Sequence, residues 1–227
     1  MIIGWKERIE AVFIPQRCLF CDDVIPCGVS LCPKCRAACR PHLSPYPGDD
    51  VLDGFFSAYP HTGPARDRVL ELKFRNQPEH AVPMGRLLWE FSQEFFQERR
   101  VDVVSYVPMY PEDRRERGYN QSRLLAESFA LQAGLPMRAL LRKTVRTKKQ
   151  HDLSGEERRQ NLKKAYTLRE GAEVKGKSLL LIDDVITTGS TVRECAALLK
   201  SHGAEQVWAL SFTGGGEQRR EQEKGEE

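Results

Sequence analysis

The chain has 227 residues, of which 40% are hydrophobic and 30% charged, with a formal net charge of +3. That length suits one sizeable α/β domain with a small module beside it, and the composition suits a globular protein with a highly charged surface. A net charge this small excludes a general polyanion binder, and no window nears the ~18 consecutive apolar residues of a membrane span, so no membrane insertion is expected.

The opening segment, "MIIGWKERIEAVFIP", sets Lys6, Glu7, Arg8 and Glu10 among Ile2, Ile3, Trp5, Ile9, Val12 and Phe13. A secretory signal needs an uninterrupted apolar core. The spacing instead predicts a short amphipathic helix packed on its own protein, and a cytoplasmic location.

Six of the seven cysteines follow, between Cys18 and Cys39. In "CLFCDDVIPCGVSLCPKC" the pair Cys18 and Cys21 precedes the pair Cys32 and Cys35. Each C-x-x-C turns two thiolates toward one metal, and two such knuckles close a tetrahedral site, structural rather than catalytic for zinc. Iron in a rubredoxin-like site uses the same ligand set, and a disulfide pair is the third alternative. A segment of about 25 residues buries little core, so the metal would supply much of its folding energy. Cys27 and Cys39 are surplus, and Cys195 stands alone as a packed thiol.

"VLDGFFSAYPHTG" reads as a strand and turn, and "PARDRVLELKFRNQPEH" and "AVPMGRLLWEFSQEFFQERR" as helices. In the second helix Leu87, Leu88, Phe91, Phe95 and Phe96 share a core-facing stripe. "VDVVSYVPM" is a near-continuous apolar run, as in a strand buried on both faces. A polar loop, 110–122, leads to a helix stopped by Gly134 and Pro136. Residues 138–164 hold ten Lys or Arg against three acids. "SLLLI" is a strand, "TVRECAALLKSHG" a helix, "AEQVWALSFT" a last strand, and the charged tail after it reads as disordered. Strands alternating with helices predict an open, mainly parallel sheet whose ligand sits beyond the strands' carboxyl ends.

The junction "LLLIDDVITTGST", residues 179–191, carries the chemistry. With a strand ending at Ile182 and a helix starting near Thr191, the segment Thr187, Thr188, Gly189, Ser190 and Thr191 can wrap one phosphate. Gly189 permits close approach, and successive N–H groups and a helix N-terminus favour an anion. Asp183 and Asp184 would repel that phosphate, and suit sugar hydroxyls or hydrated Mg²⁺. A ribose 5-phosphate presents both kinds of partner. A P-loop would need Lys before Ser/Thr, and a capped helix accounts for one hydroxyl only.

This stretch resembles the phosphoribosyl pyrophosphate (PRPP) motif of type I phosphoribosyltransferases. "RRERGYNQSRLLAE", the basic stretch and that motif also stand in the order seen in the ComF/GntX family, behind a pair of C-x-x-C knuckles, and "LELKFRNQ" resembles that family's lysine-containing segment. The resemblance spans roughly residues 18 to 213. It implies a type I phosphoribosyltransferase-like domain over 46–213, a helix and zinc-ribbon-like module over 1–45, and a tail over 214–227. It implies a site in which Asp183 and Asp184 hold ribose hydroxyls and, through water, Mg²⁺. Arg114, Arg115, Arg117 and Gly118 would take pyrophosphate, since guanidinium forks bind phosphate oxygens bidentately. Arg146, Lys148 and Lys149 would form a mobile hood over it, or contact single-stranded DNA, with Tyr119 as a stacking platform. The resemblance also implies a link to natural transformation: a phosphoribosyltransferase with an unidentified acceptor, a single-stranded-DNA-binding accessory beside the competence helicase, or a PRPP-responsive regulator.

Overall fold

The computed structural model describes residues 15–41, 44–97, 99–146 and 165–215. The N-terminal amphipathic helix, Lys148 and Lys149 of the basic stretch, and the tail beyond residue 215 lie outside the described residues. Among the described residues no helix is long and apolar enough to cross a membrane.

The elements in chain order are α1 (Pro33–Ala38), β1 (Ser44–Pro47), β2 (Gly54–Pro60), α2 (Gly63–Phe74), a 3₁₀ turn (Pro78–His80), α3 (Ala81–Gln97), β3 (Val103–Tyr106), α4 (Pro111–Arg117), α5 (Gln121–Ala133), β4 (Leu141–Lys143), β5 (Tyr166–Leu168), β6 (Ser178–Ile186), α6 (Ser190–Ser201) and β7 (Gln206–Gly214). Five strands form one sheet in the order β1-β2-β7-β6-β3. β2, β7, β6 and β3 are parallel, and β1 pairs antiparallel with β2 at the edge. The sheet is the open, mainly parallel one that the alternation predicts.

Its apolar residues divide by parity between two faces, as strand geometry requires. Leu180, Ile182, Leu210, Phe212, Val104 and Tyr106 share one buried cluster with Leu87, Leu88 and Phe129 from the helices. Leu179, Leu181, Val207, Ala209 and Val103 share the other with Val192, Cys195 and Leu199. Phe91, Phe95 and Phe96 complete the predicted stripe of α3 as partly buried side chains on the first cluster. α3 and α5 meet closely, because a Cβ on Gly85 would strike the Ser128 side chain, whose Oγ donates to the Val82 carbonyl at 2.8 Å.

Three readings of local structure change. β6 does not end at Ile182 but runs to Ile186, pairing Asp183 with Ser211 and Val185 with Thr213 on β7. The polar loop over 110–122 contains the seven-residue helix α4, which has no buried residue and hence no apolar stripe to announce it. The helix expected to reach His80 stops at Phe74, where Asn76 takes a positive φ of 51° ahead of Pro78. The basic stretch also contributes β4, which pairs antiparallel with β5 in a small second sheet. Beside it, Glu194 of α6 accepts the Ala165 N–H at 3.3 Å.

The cysteine segment packs onto the main sheet. Cys18, Leu19, Phe20, Ile25 and Leu31 belong to the same buried cluster as Tyr59 and Leu72. Phe20 meets Tyr59 edge-on at 5.5 Å, Arg36 grips Glu90 with both terminal nitrogens, at 2.8 and 3.2 Å, and Arg68 reaches Asp22 at 2.9 Å.

Candidate functional site

Because β6 runs through them, Asp183 and Asp184 are held by strand hydrogen bonding rather than by a loop. Both are buried. Asp183 Oδ1 accepts from Ser122 Oγ at 2.8 Å and from the Asp184 N–H at 2.9 Å. Asp184 Oδ1 accepts the Val185 N–H at 3.0 Å, and its Oδ2 lies 2.8 Å from Lys73 Nζ at the end of α2. Two adjacent carboxyls out of water compete for one proton. Burial first, and then the charge of Asp184, push the Asp183 carboxyl upward, while Lys73 and the Ser122 hydroxyl oppose that rise. Lys73 is the ammonium that faces this pair.

Beyond β6 the chain turns at Gly189, with φ of 74°, straight into α6. A side chain there would be strained by the left-handed conformation and would meet Phe55 at 3.0 Å and Arg193 at 3.1 Å. Thr187 to Thr191 enclose a hollow of about 40 Å³, shared with Asp183 and Val192. One water needs ~10–15 Å³ by this measure, so the hollow takes about three oxygen-sized atoms. The first N–H groups of α6 have no intrahelical partner and lend that end positive charge. Thr188 and Ser190 hydroxyls lie 3.1 Å apart. From behind, Arg193 donates to the Thr188 carbonyl at 3.1 Å and holds Asp49, in the turn between β1 and β2, at 2.6 Å.

The hollow opens beside a cavity of about 950 Å³ at the carboxyl edge of the sheet, with which it shares Asp183 and Thr191. Lys73, Asp184 and Ser122 lie on its floor side, and Arg115, Arg117 and Gly118 of the α4 arm on another wall. The structure therefore brings Arg115, Arg117 and Gly118 together with the acids. Arg114, on the opposite side of the short helix, lines a second cavity instead. Arg146 is committed to α4, pairing with Asp113 at 2.8 Å and Glu116 at 3.3 Å. Tyr119 donates its hydroxyl to the Leu72 carbonyl at 2.7 Å and packs on the core, which leaves its ring anchored rather than presented as a platform.

Several residues of the site were not singled out from the sequence. Lys73 sits in the lysine-containing segment that carried part of the family resemblance, but nothing local marks its reach to Asp184. Ser122 follows Asn120, which caps α5 by accepting the Arg123 N–H. Phe74 is 70% exposed at the cavity wall with the Arg117 guanidinium 5.5 Å from its ring centroid. His61 bonds Thr213 at 2.8 Å, and burial, then the nearby Lys73 and Arg66 charges, hold its imidazole below its usual value.

In the cysteine segment the sulfurs of Cys18, Cys21, Cys32 and Cys35 lie within 4.8 Å of one another, placed to hold a metal ion. Cys21 and Cys32 Sγ are 3.7 Å apart, close to the ~3.8 Å edge of a tetrahedron with metal–sulfur bonds of about 2.3 Å. The Cys32 N–H donates to Cys18 Sγ at 3.3 Å and the Cys35 N–H to Cys32 Sγ at 3.4 Å. Burial raises the Cys18 thiol, but the backbone donors Cys32, Cys21 and Phe20 outweigh it and bring it to about 7. Backbone N–H groups aimed at sulfur favour thiolate, the form that binds metal. Cys27 and Cys39 fall outside the set, and Cys195 is fully buried in the second cluster.

The family model described as a phosphoribosyl transferase domain matches residues 121–226. The DNA utilization protein YhgH of Salmonella typhimurium (strain LT2) is 36% identical over 213 residues, covering 86% of this chain and 90% of that protein. The chain belongs to the ComF/GntX family. A second curated relative of this ComF-family protein is competence protein F of Haemophilus influenzae, 34% identical over 150 residues, or 63% of this chain and 66% of that one. Among solved structures the ComF-family chain is similar to adenine phosphoribosyl transferase from Trypanosoma brucei, at 14% identity, 76% and 87% coverage and a TM-score of 0.45. The ComF-family fold is that of a type I phosphoribosyltransferase, on the domain match and the parallel sheet described above.

Proposed function

We propose that this protein binds PRPP, or another ligand carrying a ribose 5-phosphate, at the carboxyl edge of β6, and that it does so in the handling of DNA during natural transformation. The observation that carries the reading is one junction. A buried acid pair and a hollow sized for a few oxygens share Asp183 and open into one large cavity.

In this reading the ribose hydroxyls hydrogen-bond Asp183 and Asp184, and the 5-phosphate sits within Thr187 to Thr191 against the start of α6. Arg115, Arg117 and Gly118 hold the pyrophosphate, while Arg114 faces the second cavity. The acid pair offers the hard oxygen ligands that Mg²⁺ prefers, and a bound Mg²⁺ would neutralise charge on the pyrophosphate. The chain's own residues supply orientation and charge balance. Displacement at the anomeric carbon passes through an oxocarbenium-like state, as in glycoside chemistry, and is helped most by groups that fix the sugar and favour the departing anion. The four-thiol set holds a structural zinc, and residues 1–45 form the module it organises, with 46–213 as the ligand-binding domain.

Calorimetric titration with PRPP and Mg²⁺ tests the site. Binding by the native protein and its loss in the double variant Asp183→Asn, Asp184→Asn is the expected result. Equal affinity in both refutes the assignment. Measuring pyrophosphate release against a panel of acceptors, with and without single-stranded DNA, separates a transferase from a PRPP-responsive regulator. The names of the relatives, DNA utilization protein and competence protein, favour a second role as a DNA-binding accessory of the import machinery.

A further inference from the structure

We propose that the cavity on the far side of α4 is a second, adjoining ligand site that takes a nucleotide unit, phosphate outward and base inward. This cavity, of about 530 Å³, adjoins the sugar-phosphate cavity and shares Pro108, Met109, Arg115, Gly118, Asn120 and Lys143 with it, whereas Arg114, Arg123, Arg142 and Arg169 do not line the first cavity. Its polar wall is built from Arg114, Arg115, Arg123, Arg142, Lys143 and Arg169, and no Asp or Glu lines it. Those six cations come from three places in the sequence: α4–α5, β4 and the turn after β5. Their convergence is a product of the fold.

Some of these charges are partly engaged. Arg123 holds Glu127 through Nε at 2.8 Å, Arg142 Nε donates to Thr167 at 2.8 Å, and Arg115 lies 3.5 Å from Glu112. Arg114 and Arg169 have no ion-pair partner among the described residues. So many cations facing one volume repel one another unless an anion joins them. Guanidinium forks match phosphate oxygens. The remaining wall includes the apolar side chains of Pro108, Met109, Pro111 and Leu141, with Tyr106 and Asn120 beside them. A volume of this size falls in the range of small-ligand sites. An apolar floor under a cationic rim matches a heterocyclic base attached to phosphate, which a bare inorganic anion would not use. The ligand is a free nucleotide or one unit of a single strand.

Arg115 and Lys143 line both cavities. A phosphate in the second cavity draws on the same two cations as an anion in the first, so the two ligands are coupled.

The test uses the full-length protein with two probes, thymidine monophosphate and a short oligothymidylate, titrated at several salt concentrations. The variant is Arg142→Glu with Arg169→Glu, since neither residue lines the first cavity. Expected is a loss of affinity of at least tenfold for whichever probe the native protein binds, at unchanged PRPP affinity and melting temperature. For the oligonucleotide, removing two phosphate contacts also flattens the log–log salt dependence by roughly 1.4 units. Weakening of the oligonucleotide alone assigns the site to a strand, and weakening of the monophosphate alone assigns it to a free nucleotide. If charge reversal perturbs folding, the neutral pair Arg142→Gln with Arg169→Gln replaces it. Failure of the native protein to bind either probe, or affinities that survive both pairs of substitutions, overturns the proposal. Loss of PRPP binding in Asp183→Asn, Asp184→Asn leaves this second result standing, so the two sites are judged separately.

Discussion

Lys73 Nζ lies 2.8 Å from Asp184 Oδ2, joining the end of α2 to the carboxyl end of β6. The ammonium is about a quarter exposed and the carboxylate almost fully buried. The contact therefore balances a charge the sheet cannot otherwise tolerate. Replacing Lys73 with Met strands Asp184, and breaking a buried pair from one side costs about 3–5 kcal/mol, less here because the lysine reaches solvent. The midpoint of urea unfolding for Lys73→Met is expected to fall markedly. The double variant Lys73→Met, Asp184→Asn should recover part of the loss. Equal midpoints for Lys73→Met and the native chain would show that the pair contributes nothing.

Gly189→Ala forces a side chain into the left-handed region, at about 1–2 kcal/mol, and against Phe55 and Arg193. The hollow deforms at its narrowest point. PRPP affinity should drop at least tenfold while the overall fold persists, as read by calorimetry alongside circular dichroism. Retention of native affinity would remove the hollow from the binding site.

Metal removal reaches beyond the cysteines. Leu19, Phe20 and Leu31 sit in the same buried cluster as Tyr59 and Leu72, so loosening the thiol set strips packing from β2 and α2. Chelation, or Cys18→Ser, should lower the temperature of a single cooperative transition, with one metal ion per chain in the untreated protein by mass spectrometry. Two separate transitions would mean that the module and the sheet unfold independently.

Glu194 makes stability depend on pH. Burial lifts its carboxyl to about 6, against the opposing pull of the Ala165 N–H and Lys143. A carboxyl raised above its unfolded value of ~4.3 binds its proton more tightly in the folded chain. Its contribution is therefore complete below that value and is lost as pH rises through about 6. Glu194→Gln should flatten the decline in melting temperature across this interval. A decline equally steep in the variant would assign it to other groups.

The parts of the fold readable in advance were those whose signal is local. "SLLLI" and "VDVVSYVPM" are continuous apolar runs, and only strands buried on both faces need them. The stripe of Leu87, Leu88, Phe91, Phe95 and Phe96 marks α3 through its 3.6-residue period. The two C-x-x-C pairs mark their own cluster. What escaped had no such signal. Asp183 and Asp184 read as loop because acids are rare in central strands, and only the ladder to β7 holds them in line. α4 is charged all round and buries nothing, so no period gives it away. Lys73 and Ser122 reach the acids only after α2 has packed on β7 and β2 and α5 on β6, a relation that no window of sequence contains.

Arg193 ties the hollow formed by Thr187 to Thr191 to Asp49 across 144 positions of the chain. Contacts between such distant segments pay their loop-closure entropy late. The hairpin residue is synthesised early and must wait for nearly the whole sheet before its guanidinium partner arrives. The hollow is complete only once the β1–β2 turn and the start of α6 have been brought together through β7. A fully formed hollow certifies that the sheet from its β1 edge to β6 has been assembled.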